Sequence, residues 1–261
     1  MFNRGLAPIN EESWKEIEER LMEVFKSHLS ARKVVKVVGP KGLDYNVISE
    51  GRLEEVQEDG DLCYANYKVT PLTEVRVEFE MDRWELDNVL RGAKDVDYEP
   101  LEEAAKKIAL FEENVIYNGS DKLNIKGLIK SSAHEALTFG NEQESILDSI
   151  ANGIIKLRES YQEGPFVLVV GKEAYKRLIS KGEGYSLIEK IESLTGHKII
   201  YSHVLDGAVL VPYNHDDLEL TIGQDLNIGY QNHDNNKIRF FITESFTFRV
   251  LDPTIIVSYN L

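Results

Sequence analysis

The clearest pattern near the start of the chain is helical. From position 14 onwards, apolar or aromatic residues recur at alternating steps of three and four: Trp14, Ile17, Leu21, Val24 and His28. This spacing places them on one face and predicts an amphipathic helix. Asn10 is suited to cap the first turn, where Glu11 and Glu12 favour the helix dipole.

A second, longer helix is predicted from Pro100 to about Asn118. Its apolar positions also form one stripe: Leu101, Ala104, Ala105, Ile108, Phe111, Val115 and Ile116. The Asn118-Gly119 pair supplies its stop. Two pairs of glutamates, Glu102-Glu103 and Glu112-Glu113, are assigned to the polar, solvated side of this helix.

Strand patterns surround these helices. The run KVVKVVGP at 33–40 favours a strand, and residues 44–82 have the character of a hairpin that turns at 58–61. In the second arm of the hairpin, four apolar residues alternate with charged ones, so one face is apolar: Val75, Val77, Phe79 and Met81. Such length is unusual for a hairpin confined to a compact domain.

The middle of the chain changes to alternating helix and strand. Helices are expected at 142–161, 173–179 and 187–194, and strands at PFVLVVG, HKIIYS, GAVLVPY and LELTIG. This alternation predicts a separate α/β subdomain. The terminal ribbon, residues 227–253, returns to strand character. We therefore expect the beginning, the long helix and the end to form one unit around an inserted one.

Charge and cysteine content narrow the class of protein. The 261 residues carry a formal net charge of −15, which disfavours nucleic-acid binding because phosphate recognition needs clustered Lys and Arg. The single cysteine, Cys63, cannot form an internal disulfide. No apolar run approaches the roughly 20 residues needed to span a bilayer. No export signal is recognisable, so we expect a cytoplasmic protein.

Linear motifs for catalysis and metal binding are missing. The segment GEGYSL at 182–187 lacks the third glycine of a phosphate-binding loop, and the six histidines do not follow a metal-ligand spacing. No serine is flanked by the glycines of a nucleophile elbow. We therefore predict a protein that is not an enzyme and that needs no metal or cofactor.

Five motifs in chain order carry a resemblance to a known family: RGLAPI, ESWKEIEER, LDNVLRG, GQDLNIGY and FFITESFTFRVLDP. The chain resembles the encapsulins of family 1, the linocin-like shell proteins of bacterial and archaeal nanocompartments. That family shares the fold of tailed-phage major capsid proteins. The resemblance therefore implies an α+β fold of the Hong Kong 97 type.

The resemblance also implies a division of the chain. Residues 1–43 would form the N-terminal arm, helix and first peripheral strand, and 44–80 the extended loop. Residues 81–122 and 223–261 would form the peripheral domain with its spine helix, and 123–222 the axial domain. The phenylalanines of the terminal ribbon would fill the core of one subunit, face a neighbouring subunit, or do both.

The implied function is structural. Many copies of the chain would close into an icosahedral shell and enclose a cargo enzyme, either a ferritin-like iron-storage protein or a peroxidase, which carries a C-terminal targeting peptide. One alternative is a phage or prophage major capsid protein, which would use the same fold to hold DNA. A bacteriocin or protease is a less favoured alternative.

Three sites follow from the resemblance. The cargo peptide would bind in a groove, called here the predicted tag groove: Phe25, Leu29, Arg32, Val34, Lys36, Asp225, Ile228, Tyr230 and Ile238. The alternative is that the apolar members, Leu29 among them, only attach the helix to the sheet. A loop around a fivefold pore would contain Lys181, Gly182, Glu183, Gly184 and Tyr185, with Glu183 supplying a ring of negative charge. The alternative for this segment is an ordinary flexible surface loop. Flavin would stack near Arg76, Trp84 and Asp87, unless Trp84 is an aromatic anchor between subunits.

Overall fold

The computed structural model of the chain describes residues 1–180 and 186–261. Its α-helices are α1 (Glu11–His28), α2 (Arg83–Leu90), α3 (Glu99–Asn118), α4 (Gly127–Ser131), α5 (Gln143–Glu159), α6 (Lys172–Ser180) and α7 (Leu187–Thr195). Its strands are β1 (Lys36–Val38), β2 (Val47–Leu53), β3 (Gln57–Asp59), β4 (Leu62–Tyr64), β5 (Tyr67–Pro71), β6 (Thr73–Asp82), β7 (Leu137–Thr138), β8 (Phe166–Val170), β9 (Ile200–Tyr201), β10 (Ala208–Pro212), β11 (Leu218–Ile222), β12 (Asn227–His233), β13 (Lys237–Val250) and β14 (Val257–Asn260). None of the helices described is long and apolar enough to cross a membrane.

The first helix forms as its sequence predicts. The side chain of Asn10 accepts a hydrogen bond from the backbone N–H of Ser13 at 2.7 Å, which satisfies one free donor of the first turn. Helix α1 buries Ile17, Leu21 and Phe25 and packs against α3 and α2. The two long helices are thereby held together by one apolar core.

The segment after α1 contains less strand than predicted. Residues Ala31–Lys33 form a 3-10 turn, and the strand β1 begins only at Lys36. The N–H of Val34 bonds the carbonyl of Ala31 at 2.9 Å and closes this turn. Val34 and Val35 are both buried, so consecutive apolar residues serve a turn here rather than alternating along a strand.

The terminal ribbon is the centre of the first sheet. Strand β13 pairs antiparallel with β6 from Lys237↔Asp82 to Phe246↔Thr73, and it also pairs with β12 and β11. Strand β1 lies parallel to β11. The four phenylalanines of β13, Phe240, Phe241, Phe246 and Phe248, are all buried within the single chain. The core-filling interpretation of the ribbon therefore holds for these four residues.

A second sheet has the order β7-β14-β10-β8-β9 and packs against α5, α6 and α7. Its strands differ from the predicted division of the chain at two points. Strand β14, from the terminal segment, pairs with β10, for example Ala208↔Tyr259. Strand β11, from the predicted inserted unit, pairs with β13 in the first sheet. The chain thus crosses between the two units more often than the sequence pattern indicates.

The hairpin projects as two small two-stranded sheets, β2 with β5 and β3 with β4. Gly60 takes a positive φ of 61° at the tip, as a tight turn requires. Strand β6 belongs instead to the first sheet over its whole length. Large apolar side chains of the hairpin remain exposed in the single chain, among them Leu53, Leu62, Tyr64 and Tyr67.

Candidate functional site

The structure brings most of the predicted tag groove together, but as closed core. Phe25, Leu29, Ile228, Tyr230 and Ile238 share one apolar cluster between α1, α3 and the first sheet, and none of them is more than 8% exposed. Leu29 is the C-cap residue that directly follows α1. Its backbone N–H donates to the carbonyl of Phe25 at 2.8 Å. The remaining apolar member, Val34, lies in a different cluster with β11 and the end of α3.

Two polar members of the predicted tag groove reach the surface. Lys36 opens β1, its side chain is 40% exposed, and its Nζ lies 3.3 Å from Asp216. Asp225 lies between β11 and β12 with a side chain that is 43% exposed. Val34 ends a turn while Lys36 begins a strand, so the strand predicted for residues 33–40 does not include Val34 and the two side chains do not share one strand face. A peptide bound here would meet Lys36 and Asp225 before any of the buried side chains.

Arg32 occupies the centre of a carboxylate cluster. Its Nε donates to Glu112 at 2.8 Å, its Nη1 to Asp225 at 2.7 Å and its Nη2 to Glu244 at 3.1 Å. A second bond from Nη2 to Glu112 at 2.5 Å makes the Glu112 pair bidentate. The N–H donors of the Arg32 guanidinium are therefore already used within the chain. Few of them are left to donate to the carbonyl of a bound peptide.

The electrostatics of this cluster follow from burial. Burial alone lowers the pKa of Arg32, but hydrogen bonding to Glu112 and the charges of Glu112, Asp225 and Glu244 raise it well above its ordinary value. Burial, followed by the adjacent charge of Glu112, raises the pKa of Glu244 well above the usual carboxyl range. Glu244 is 0% exposed, and its Oε1 has no hydrogen-bond partner among the described residues. Burial and the adjacent charge of Glu112 thus favour the neutral form of Glu244.

Glu113, the neighbour of Glu112 on α3, binds the turn that follows α1. It accepts hydrogen bonds from the N–H of Ala31 at 2.6 Å and from the hydroxyl of Ser30. The hydroxyl of Tyr117 lies 3.0 Å from the same Ser30 oxygen. Burial raises the pKa of Glu113 to about 7, although these hydrogen bonds act in the opposite direction.

The burial of Glu112 and Glu113 corrects the prediction of a solvated pair, since both side chains are 0% exposed. The sequence did contain a signal for Glu112. It follows Ile108 by four residues and precedes Val115 by three, so it falls on the predicted apolar stripe itself. Sequence analysis missed Glu113, Ser30 and Glu244 as members of this cluster, because their partners lie far away along the chain.

The predicted flavin residues contact different partners. Trp84 is 63% exposed on α2, with the guanidinium of Arg91 at 5.4 Å from its ring centre. The guanidinium of Arg76 lies 4.3 Å from the ring centre of Phe241. Asp87 lines a shallow cavity beside the N-terminal arm, together with Ala7 and Leu90 among others. A flavin site at these positions remains a prediction.

The predicted pore loop, residues 181–185, lies outside the described residues. Within the described part of the chain, no group of three or more His, Cys, Asp or Glu side chains is arranged to hold a metal ion. The remaining candidate features are therefore the predicted tag groove, the carboxylate cluster behind it and the exposed hairpin.

Solved structures place this fold in a defined class. A virus-like particle from Pyrococcus furiosus matches with a TM-score of 0.71, covering 94% of this chain and 98% of that chain at 16% identity. The capsid of Myoviridae phage XM1 matches with a TM-score of 0.55, covering 89% of this chain and 92% of that chain at 14% identity. The fold is therefore that of capsid proteins of the Hong Kong 97 type, as predicted.

Sequence comparison identifies the family. The family described as "Encapsulating protein for peroxidase" matches residues 1–247. The type 1 encapsulin shell protein of Mycobacterium tuberculosis is 34% identical over 247 residues, covering 94% of this chain and 93% of that protein. The corresponding protein of Brevibacterium linens is 34% identical over 251 residues, covering 95% and 94%. The chain belongs to the encapsulin shell protein family, whose members are structural proteins rather than enzymes.

Proposed function

We propose that this chain is the subunit of an encapsulin nanocompartment, in which many copies close into an icosahedral cage around a cargo protein. The observation that carries the proposal is the 34% identity with type 1 encapsulin shell proteins over nearly the whole chain. The capsid-like fold supports it, because identical subunits with heterologous contacts form closed assemblies when the rotation between them closes.

The hairpin gives this proposal a physical basis within the chain. An isolated two-stranded hairpin is marginally stable in water, yet β2 and β5 pair only with each other among the described strands. Leu53, Tyr64 and Tyr67 on this hairpin are each more than half exposed in the single chain. Contact with a neighbouring copy would cover these side chains and stabilise the hairpin.

Sedimentation velocity of the purified protein tests assembly. The smallest closed icosahedral cage contains on the order of sixty copies, or about 1.8 MDa for a chain of 29.7 kDa. We expect one narrow boundary at a mass of this order or a larger icosahedral multiple. A stable monomer or a continuous distribution of open aggregates would contradict the proposal.

We further propose that the cargo is a ferritin-like or peroxidase enzyme held by a C-terminal targeting peptide along the surface of the predicted tag groove. The exposed charges at Lys36 and Asp225 support recognition of polar groups of an extended peptide at this surface. The buried cluster around Phe25 would act by shaping the surface rather than by contact.

Cargo retention separates this proposal from assembly. We expect Lys36→Ala shells to form normally and to co-purify with less cargo, whereas Lys33→Ala, a change at an exposed lysine on the preceding turn, should leave loading unchanged. Equal loading in the two assembled variants would exclude Lys36 from the site. Wild-type shells that never retain a tagged protein would refute cargo binding itself while leaving the cage intact.

We also propose that the pore loop admits small cations such as iron past a ring formed by Glu183. This proposal rests on the family resemblance and on the logic of charged selectivity rings. Glu183→Gln shells loaded with an iron-oxidising cargo should take up iron more slowly at low salt. An unchanged rate would remove the role of Glu183.

We also propose flavin binding near Trp84, which offers an exposed aromatic face; Arg76 is stacked on Phe241 and would take no part in the stacking. A purified shell with flavin absorbance that disappears in Trp84→Ala would support the site. A colourless wild-type shell would leave Trp84 as an aromatic anchor between subunits.

A further inference from the structure

The end of α1 is attached to α3 by two consecutive carboxyl groups that point into the protein. Glu112 binds the guanidinium of Arg32, and Glu113 binds the N–H of Ala31 and the hydroxyl of Ser30. Because Ser30, Ala31 and Arg32 are consecutive, the whole turn after α1 is held by these two groups. We call this attachment the carboxyl joint.

The charges around the carboxyl joint do not balance. Arg32 is the cation that contacts it from the turn. The acidic groups are Glu112 and Glu113 from α3, Asp225 from the bend between β11 and β12, and Glu244 from β13. The phenol of Tyr117 is a further ionisable group at this site. Burial raises its pKa well above the ordinary tyrosine value, so its hydroxyl stays neutral near neutral pH. With all four carboxyls ionised, the site would carry a net charge of −3.

A net charge of that size cannot be solvated at this depth. Glu112, Glu113 and Glu244 are fully buried, and a buried charge without a partner is strongly unfavourable. The one guanidinium bonds Glu112 twice and also bonds Asp225 and Glu244. Glu113 is bound by the neutral donors of Ser30 and Ala31 instead. Glu244 thus shares one guanidinium with Glu112 and with Asp225, and unlike Asp225 it has no exposure to water. Glu113 and Glu244 are therefore the two buried carboxyls with the least compensation of a negative charge.

We propose that the carboxyl joint is a buried proton-binding site, in which Glu113 and Glu244 hold protons in mildly acidic solution and lose them as the solution becomes alkaline. Loss of these protons places two more negative charges beside Glu112 and Asp225. Repulsion among them weakens the attachment of the turn to α3 and loosens the end of α1. The site belongs to the folded chain itself, so it does not depend on cargo binding.

The direction of the pH effect follows from linkage. Burial raises the pKa of Glu113 from 4.5 to about 7 in the folded chain, and burial and the charge of Glu112 raise the pKa of Glu244 well above the usual carboxyl range. A group whose pKa is higher in the folded chain than in the unfolded chain stabilises the fold below its unfolded pKa. That contribution is lost as the pH rises through its folded pKa. For Glu113 this contribution therefore decreases between pH 4.5 and about 7 and is absent at higher pH.

Infrared difference spectroscopy of the native protein detects the bound protons directly. A protonated carboxyl group has a C=O stretch that is separate from the carboxylate bands. We expect this absorption in the wild-type protein at pH 6, a loss of about half of it in Glu113→Gln or Glu244→Gln, and no loss in Glu103→Gln, an exposed position on the same helix. A wild-type protein without this absorption, or one that keeps it in both buried variants, would overturn the proposal.

Hydrogen–deuterium exchange measures the predicted loosening. After correction for the intrinsic rate, exchange at residues 29–35 should accelerate by up to about tenfold for each pH unit between the unfolded and the folded pKa of one titrating group, and should level off above the folded pKa. The Glu113→Gln variant should reduce this slope, whereas Glu103→Gln should keep it. His203, which stacks on His28 beside this turn, has a pKa lowered by burial and by His28. Both histidines are unchanged in Glu113→Gln, so this variant separates their titration from that of the carboxyl joint. A corrected rate that does not change between pH 6 and pH 9 would also overturn the proposal.

Discussion

Replacing Arg32 by methionine tests the account of the carboxylate cluster most severely. The substitution keeps the apolar stem of the side chain and removes the guanidinium, so the hydrogen bonds to Glu112, Asp225 and Glu244 are lost together. Glu112 would be left fully buried without a cation. The residue belonged to the predicted tag groove, so the experiment also separates a structural role from a role in cargo contact.

The magnitude follows from the burial of the pair. Removing one partner of a buried ion pair costs about 3–5 kcal/mol because the other charge stays behind. The side chain of Arg32 is 17% exposed while that of Glu112 is 0% exposed, so water cannot replace the lost guanidinium and the full penalty applies to a charged partner. In acid the carboxyls can protonate instead, and the penalty decreases. We therefore expect Arg32→Met to lose more stability at pH 8 than at pH 5.

Urea denaturation followed by tryptophan fluorescence provides the assay, with both proteins in the same assembled state and at the same concentration. Arg32→Lys serves as the control, since it keeps the charge but cannot form the bidentate pair, and it should fall between the wild type and Arg32→Met. A loss below about 1 kcal/mol at both pH values would refute the reasoning. If Arg32→Met kept its stability but retained less cargo, Arg32 would be a cargo-contacting residue of the predicted tag groove rather than a structural one.

Three further substitutions test the packing. Tyr259→Phe should raise stability by about 1 kcal/mol, because the buried hydroxyl of Tyr259 has no hydrogen-bond partner among the described residues; a lower melting temperature would contradict this. Gly153→Ala should destabilise the wild type, since the new Cβ would lie 1.9 Å from that hydroxyl, and should cost less in the Tyr259→Phe background; equal costs would show that the hydroxyl is not the obstacle. Phe25→Ala should cost about 3–5 kcal/mol in denaturation as a cavity forms in the core, whereas Met22→Ala on the exposed face of the same helix should change little. Wild-type stability in Phe25→Ala would show that the core around it is open.

The parts of the fold that sequence predicted well are those governed by local periodicity. Helices α1 and α3 follow from their apolar stripes, and the alternation from Val75 to Met81 identifies β6. The family was recognisable because five motifs occur in the same order along the chain. These signals are local or ordered, so they survive without knowledge of which strands meet.

The parts that sequence could not predict depend on pairing between distant segments. Strand β14 joins β10 in the second sheet although it follows β13 of the first sheet within a few residues. Likewise, no local pattern indicates that Arg32 meets Glu244, which lies 212 residues further along the chain. Burial of a charged residue is readable only where it interrupts an apolar stripe, as Glu112 does.

The predicted tag groove illustrates the same limit. Family resemblance selected residues that do lie together around the end of α1. It could not show that Phe25, Ile228 and Ile238 are covered by the chain's own helix and sheet. Exposure is a property of the completed packing, so a set of residues that is correct in position can still be inaccessible to a partner.

Electron cryo-microscopy of the purified protein tests the central claim, that this chain builds a closed shell, most directly. The account predicts hollow particles of uniform diameter with icosahedral symmetry. In the reconstruction, the hairpin of β2 to β5 should lie against a neighbouring copy, with Leu53, Tyr64 and Tyr67 covered. Isolated subunits, open sheets of subunits, or closed particles in which the hairpin contacts no neighbour would contradict it.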